Sequence, residues 1–308
     1  MKKISESEII KLACKNNNFR EEVIVPVGED ASVLFPKQDS NIVITTDTIT
    51  LNTHFKNDIE PYELGYIAAA SNVSDLSAMG SSPAFALINL TLNNNSEEYI
   101  NELVRGYNTI FEPLGVSLIG GDTSYGHTSI TMTLIGYIES NNYMLMSNSK
   151  IGDSIFISGE IGCSLAASKL NKYNLPIIRN KLGMLLPDFT NSCTDMSDGL
   201  IHSLKMINDK SNLGINIEIN KIKLNEETKY LLNRKDICWE DILSYGEDYE
   251  LLFTVSQEKS KPLKNLCKDL GIEIIEIGKT VRDKKIEIYN NNKKIDIDIN
   301  KEFKHFKS

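Results

Sequence analysis

PAFALINLTLNNNSEEYINELVRGYNTIFEPLG, residues 83–115, is the stretch that sets the fold class. Pro83 to Leu92 is apolar almost without a break, the pattern of a strand that is mostly buried. After three asparagines the period changes. Ser96 stands at an N-cap position, and Glu97 and Glu98 fill a first turn, where carboxylates favour the helix dipole. Ile100, Leu103, Val104, Tyr107, Ile110, Phe111 and Leu114 then share one helical face, and Gly115 closes the helix. A buried strand feeding an amphipathic helix calls for layers of both kinds.

Outward from this stretch the same mixture continues. Ser5 to Lys15 has helical spacing, and NIVITT at 41–46 reads as a strand delivering Asp47 at its end. Pro61 can start a helix that Tyr62 to Met79 continues and Gly80 ends. Strand-like runs follow at 116–119 and 128–138, with GGDTSYG between them. SNNYMLMSNSKIGD is polar and turn-rich, so a boundary falls around 140–150, dividing the chain into 1–140 and 141–308. The second half mixes strands (154–158, 213–219, 249–255, 272–277) with helices near 161–171, 199–210 and 258–270. No regular strand–helix–strand alternation spans the chain, so the class is α+β (mixed α/β). The Asn/Lys-rich 290–294 is a turn or solvated loop.

Composition agrees with a folded, two-domain protein: 308 residues, 41% hydrophobic and 24% charged, long enough for two domains of about 150 residues each. The net charge of −9 argues against nucleic acid and acidic membrane surfaces as partners, because nothing basic and continuous offsets it. An anionic substrate then needs a metal ion to mediate its contact. Cys14, Cys163, Cys193, Cys238 and Cys267 are scattered and odd in number, which fits reduced thiols in the cytoplasm. No apolar run approaches the ~18 residues of a membrane span, and the N-terminus has no apolar signal core. The expectation is a soluble, cytoplasmic protein.

Neither GxxxxGK[ST] nor a strand-to-helix GxGxxG is present. Histidine is scarce (His54, His127, His202, His305), and no Ser-His-Asp triad can be argued. Aspartate is what recurs at the ends of apolar runs, beside glycine, serine or threonine. Asp30 follows Gly28, Asp47 follows Thr45 and Thr46, and Asp122 follows Gly120 and Gly121. In TDMSDGL, Asp195 and Asp198 stand three apart before a helical segment. Asp75 lies inside an apolar helix, with Ser71 and Asn72 one turn earlier, where a carboxylate costs several kcal/mol unless paired or coordinated. Several carboxylates converging on one site need cations. All-oxygen ligands suit Mg²⁺ bound together with phosphate, and hence phosphoryl transfer assisted by more than one metal. At Gly28-Glu29-Asp30, neighbouring side chains on an extended chain point to opposite faces, so one carboxylate is expected to face inward.

The ordered series VGEDASVL, TTDTITLNTHF, NVSDLSAMG, GGDTS, TDMSDGL and YGEDYELLF resembles the thiamine-monophosphate kinase family. That family sits in the superfamily of aminoimidazole ribonucleotide synthetase and selenophosphate synthetase. The resemblance runs from ISESEIIKL to the terminal FKHF. It implies a two-domain PurM-like fold, with an N-terminal sheet domain used for dimerisation and a C-terminal α/β domain. The activity it implies is ATP-dependent phosphorylation of thiamine phosphate to thiamine diphosphate, by direct in-line transfer with several Mg²⁺ ions.

By the same resemblance Asp30, Thr45, Thr46, Asp47, Asp75, Asp122, Asp195 and Asp198 are the Mg²⁺ ligands. Gly121, Asp122 and Ser197 contact ATP; His54, Glu247 and Phe303 meet thiamine phosphate. Asp30 becomes the inward carboxylate and Glu29 the bystander on the opposite face. The aromatic Phe303, ahead of His305 and Phe306, suggests an ordered tail. No general base is implied, since the attacking group is already a phosphate oxygen. Three positions depart from the family pattern: Met146 where an arginine is common, so that an ATP-phosphate contact is either missing or supplied by Lys150; Tyr245 for the first glycine of GGED; and Glu29 where aspartate is frequent. The alternatives are a selenophosphate-synthetase-like or purine-pathway-synthetase-like enzyme, or a non-catalytic nucleotide or Mg²⁺ sensor on this scaffold. Cys14 lacks the glycine-rich setting that selenium chemistry needs.

Overall fold

Residues 82–114 form the expected strand and helix in the computed structural model, which describes residues 2–15, 17–139 and 141–299. The Ser96 hydroxyl accepts from the Tyr99 N–H, and Gly115 takes the left-handed conformation that ends the helix. The chain divides into two units: Met1–Leu76 with Ser81–Asn141, and Ser77–Gly80 with Asn142–Ser308.

The first unit carries helices α1 (Glu6–Ala13), α2 (Pro61–Met79, its last turn assigned to the second unit) and α3 (Glu97–Leu114). Its strands are β1 (Val23–Val25), β2 (Val33–Leu34), β3 (Ser40–Thr50), β4 (Ser82–Leu92), β5 (Ser117–Tyr125) and β6 (Ser129–Glu139). β1 and β2 pair as a small antiparallel ribbon, and the rest form a sheet in the order β3-β6-β4-β5. β6 runs antiparallel to both neighbours, while β4 and β5 are parallel, joined by the α3 crossover. Ile130, Met132 and Leu134 of β6 are buried on one face. α2 is apolar on all sides and accordingly buried, with Leu64, Ala69, Ala70, Val73 and Leu76 fully enclosed. β3 carries apolar residues on both faces, Val43 and Ile49 on one and Ile42 and Ile44 on the other, and the second leaves Ile42 54% and Ile44 64% exposed.

The second unit carries strands β7 (Ser154–Ser158), β8 (Ser192–Asp195), β9 (Gly214–Glu218), β10 (Leu251–Val255), β11 (Ile274–Val281), β12 (Ile286–Asn290) and β13 (Lys293–Ile295). Its helices are α4 (Cys163–Lys169), α5 (Asn180–Leu185), α6 (Leu200–Ser211), α7 (Glu226–Asn233), α8 (Trp239–Ser244) and α9 (Gln257–Asp269). The sheet order is β13-β12-β9-β11-β7-β10-β8, antiparallel except between β9 and β12. Central β7 sends Ile155 and Ile157 into one core with Leu200 and Leu204 of α6, and Phe156 into another with Leu263 of α9. That is the period of two expected of a strand buried on both faces. Phe156 stacks on Phe253 with centroids 5.5 Å apart.

Three short helices (α5, α7, α8) and three strands (β8, β12, β13) go beyond the sequence reading, each too short to establish a period. Asn291 and Asn292, both at positive φ, make the turn between β12 and β13, so the Asn-rich stretch is a hairpin tip. GGDTSY lies within β5, paired to β4, and not in a loop between strands. Among the described residues no helix is long and apolar enough to cross a membrane.

Candidate active site

In the first unit β3 and α2 bring three of the predicted residues together. Thr45 and Asp47 lie two apart on β3 and therefore on the same face. The Thr45 hydroxyl donates to Asp75 Oδ2 at 2.5 Å. Burial pushes the Asp75 carboxyl up to about 6, the nearby charge of Asp47 pushes the same way, and the Thr45 hydrogen bond opposes them. Asp75 is thus paired, as its place in an apolar helix demands.

Thr46 belongs to the other face. Its hydroxyl donates to the Met132 carbonyl at 3.1 Å and accepts from Thr133 at 3.0 Å. Asp122 is exposed on β5, in register with Asn89, Thr131 and, on β3, Thr48. Register alternation places it on the sheet face opposite Thr45 and Asp47. Gly121, at φ 146°, has no room for a side chain, because a Cβ would collide with the Ile88 carbonyl. The Thr50 N–H donates to His54 Nδ1 at 3.1 Å, which leaves Nε2 as that ring's donor in the neutral form.

Asp30 departs from expectation. Asp30 and Glu29 are both exposed, in the turn that Gly28 opens between β1 and β2. Alternation applies to an extended strand, and this segment is not one. The inward assignment of Asp30 therefore does not hold within the unit.

In the second unit two motifs distant in sequence abut. Asp195 ends β8, and Ser197 and Asp198 precede α6. The Glu247 N–H donates to the Ser197 carbonyl at 2.7 Å. Gly246 makes this approach possible, since a Cβ there would run into the same carbonyl. Glu247 is half-buried at φ 68°, unusual for a residue with a side chain. Burial, then the charges of Asp248 and Asp198, push its carboxyl up to about 7. His202 Nε2 lies 3.9 Å from Asp198 Oδ2 one helical turn on.

Several supporting residues had no signal in sequence. Buried Asp248 accepts from the N–H groups of Gly162 (2.6 Å) and Ser164 (2.9 Å) at the start of α4. Glu250 takes a two-pronged contact from Arg179, at 2.6 and 2.5 Å, and a hydrogen bond from Ser158 at 2.5 Å. The partners lie far apart in the chain, and only the repeated acids of GEDYE hinted at anchors. Phe303 lies outside the described residues.

Family models for the AIR synthase related protein match residues 28–138 (N-terminal domain) and 178–290 (C-terminal domain). The thiamine-monophosphate kinase of Buchnera aphidicola subsp. Acyrthosiphon pisum is 33% identical, covering 99% of each chain. The chain belongs to the thiamine-monophosphate kinase family. The thiamine-monophosphate kinase of Stenotrophomonas maltophilia K279a is similar in structure, with a TM-score of 0.83 at 26% identity over 94% of this chain and 96% of that one. A structure described as AaThiL complexed with AMPPCP and TMP matches with a TM-score of 0.75 at 27% identity, over 98% and 97%.

Within the thiamine-monophosphate kinase family pattern, Met146 fills core space. Its side chain packs against the α6-side core, so it supplies no cation, and Lys150 is exposed. Tyr245 also packs partly against that core. Among the described residues no three Asp, Glu, His or Cys side chains could hold a metal unaided. Two carboxylates and a hydroxyl at Asp47, Asp75 and Thr45 nevertheless fit Mg²⁺, which takes one or two carboxylates and completes its shell with water and phosphate. Burial, with the charge of Asp47 adding to it, raises Asp75, and a divalent cation bound there would favour its ionised form.

Proposed function

We propose that this chain transfers the γ-phosphoryl group of ATP to thiamine phosphate, giving thiamine diphosphate and ADP. The observation that carries this reading is the end-to-end match to thiamine-monophosphate kinases, with a carboxylate at each motif position. A related structure bound to AMPPCP and TMP supports the substrate pair.

Asp47, Asp75 and Thr45 would hold one Mg²⁺; further Mg²⁺ ions would use Asp30, Thr46 and Asp122 in the first unit, and others Asp195 and Asp198 in the second. When bound, Mg²⁺ neutralises the phosphate charges that otherwise keep two polyanions apart in an acidic protein. Gly121 and Asp122 would contact ATP from the first unit, and Ser197 from the second. His54 presents Nε2–H to the acceptor phosphate. Glu247, once ionised, complements the cationic thiazolium ring, and Phe303 offers that ring an aromatic face. The acceptor oxygen is already anionic, so no side chain needs to remove a proton from it.

We place the protein in the cytoplasm as a homodimer formed through the first unit. The exposed Ile42 and Ile44 face of β3 supports the second part. Purified protein with Mg²⁺, ATP and thiamine phosphate tests the activity. Thiamine diphosphate and ADP should appear in equal amounts. No product from thiamine phosphate, with ATP turnover on selenide or an aminoimidazole precursor, would assign the chain to another branch of the superfamily.

A further inference from the structure

The unusual backbone of Glu247 is held from both sides. Its N–H donates to the Ser197 carbonyl at 2.7 Å, and its carbonyl accepts from the Ser164 hydroxyl at 2.6 Å. Ser164 is 5% exposed and is the second residue of α4. Its hydroxyl also accepts from Asn174 Nδ2 at 2.9 Å, which fixes the direction in which it donates. Its N–H meets Asp248 Oδ1 at 2.9 Å, and Gly162 N–H meets Asp248 Oδ2 at 2.6 Å. One serine therefore binds two consecutive residues of GEDYE, one through its hydroxyl and one through its backbone. Tyr249, two residues beyond Glu247, is also left-handed at φ 51°. A side-chain-bearing residue at positive φ persists only where its surroundings over-determine it. Here the constraint is a short chain of hydrogen bonds running from the loop after α4.

We propose that Ser164, oriented by Asn174, is a positioning residue that sets how Glu247 is presented to the phosphate acceptor. In this role the Ser164 hydroxyl acts through Glu247 and not on the substrate itself. It holds the Glu247 carbonyl, and with the Ser197 carbonyl holding the N–H, the peptide units on both sides of Glu247 are fixed. The direction of the Glu247 side chain follows. Without the hydroxyl, a shielded carbonyl has no partner and the left-handed conformation loses one of its two clamps. The Glu247 carboxylate then samples directions that do not meet the acceptor. ATP contacts are unaffected, because neither Ser164 nor Asn174 belongs to the phosphate-binding motifs.

The inference rests on the reading that Glu247 meets thiamine phosphate, and a double-mutant cycle tests the two separately. Steady-state constants for both substrates are measured in Ser164→Ala, Glu247→Gln and the double variant, with thermal melts of each. Ser164→Ala should raise the acceptor KM about 10-fold, the size expected for one lost hydrogen bond. KM for ATP and kcat should stay within about twofold. The double variant should be no worse in acceptor KM than Glu247→Gln alone, since Ser164 acts only through that residue. An unchanged acceptor KM in Glu247→Gln overturns the substrate reading of Glu247. A strong effect there, with no effect in Ser164→Ala or with effects that simply add, overturns the positioning role. If Ser164→Ala does not fold, Asn174→Ala takes its place in the same cycle with the same criteria.

Discussion

Glu247 and Ser197 are joined backbone to backbone, N–H to carbonyl at 2.7 Å, and Gly246 is the residue that allows it. A methyl group at Gly246 collides with the Ser197 carbonyl, a backbone atom that cannot rotate away. Gly246→Ala should therefore separate the two motifs. Strain of this kind costs about 1–3 kcal/mol, and misplacement near 1 Å at a reacting site costs about 100-fold in rate. A clear drop in melting temperature with a loss of that order in kcat/KM is expected. A Gly246→Ala protein with wild-type kinetics is incompatible with the docked arrangement.

The raised Glu247 carboxyl gives acceptor binding a pH dependence. Its folded value is about 7 against 4.5 for a free glutamate, so it ionises as pH rises from about 6 to 8. The anionic form suits a cationic ring, and acceptor KM should fall across that interval. Folding stability responds in the opposite sense. A carboxyl whose folded value is raised stabilises most below about 4.5 and loses that contribution as pH rises through 7. Glu247→Gln should flatten both trends. A wild-type acceptor KM that rises between pH 6 and 8 would contradict the assignment.

Much of this was legible in the chain. α3 appears with the cap and terminator its residues specify, because Ser96 and Gly115 act locally. Asp75 could be singled out because a carboxylate inside an apolar helix needs a partner, which Thr45 supplies. Glu29 and Asp30 are both exposed in a turn, where the alternation of an extended strand does not apply. GGDTSYG stands between two strand-like runs in the sequence, yet most of it extends β5, where Gly121 lets the strand run close to β4. Ser164 and Arg179 were invisible for another reason. Their roles are hydrogen bonds to residues in distant segments of the chain, and no local pattern encodes such a partner.

The Asp47–Asp75 pair opposes stability to function. Asp47 adds to the burial that raises Asp75 to about 6, so metal-free protein carries this like-charge repulsion at pH 7.5. Asp47→Asn should raise the melting temperature of the metal-free protein at that pH while abolishing turnover. Mg²⁺ should stabilise the wild type more at pH 7.5 than at pH 5, where a proton competes for Asp75. Asp47→Asn should lose most of this response. Calorimetric scans with and without Mg²⁺ at the two pH values decide it; equal Mg²⁺ stabilisation of variant and wild type would remove Asp47 from the metal's ligands.

Arg179 and Glu250 form an ion pair that is nearly enclosed, with side chains 16% and 6% exposed. Removing one partner strands the other. Arg179→Met should cost about 3 kcal/mol or more, because a buried carboxylate is left without its cation. Adding Glu250→Gln to Arg179→Met should recover part of the loss, since the stranded charge disappears while Ser158 can still donate to the amide oxygen. Urea unfolding of the two variants gives both values. A single-variant loss under 1 kcal/mol would show that the pair contributes little.

Ile42 and Ile44 are 54% and 64% exposed on one face of β3, beside the hydroxyl-rich ladder of Thr46, Thr48, Thr131 and Thr133. Two isoleucines side by side on the uncovered face of a sheet are poorly explained in a monomer, since β-branched apolar residues there gain nothing from water. A second copy of the same face would cover them symmetrically, and a twofold contact brings each residue's patch against its own copy. Ile44→Glu then places a carboxylate in each half of the contact, and the two repel across a shared apolar surface. The wild type should sediment as a dimer and Ile44→Glu as a monomer with an unchanged circular dichroism spectrum. A wild type that sediments as a monomer at micromolar concentration, or an Ile44→Glu protein that remains dimeric, would remove this face from the interface.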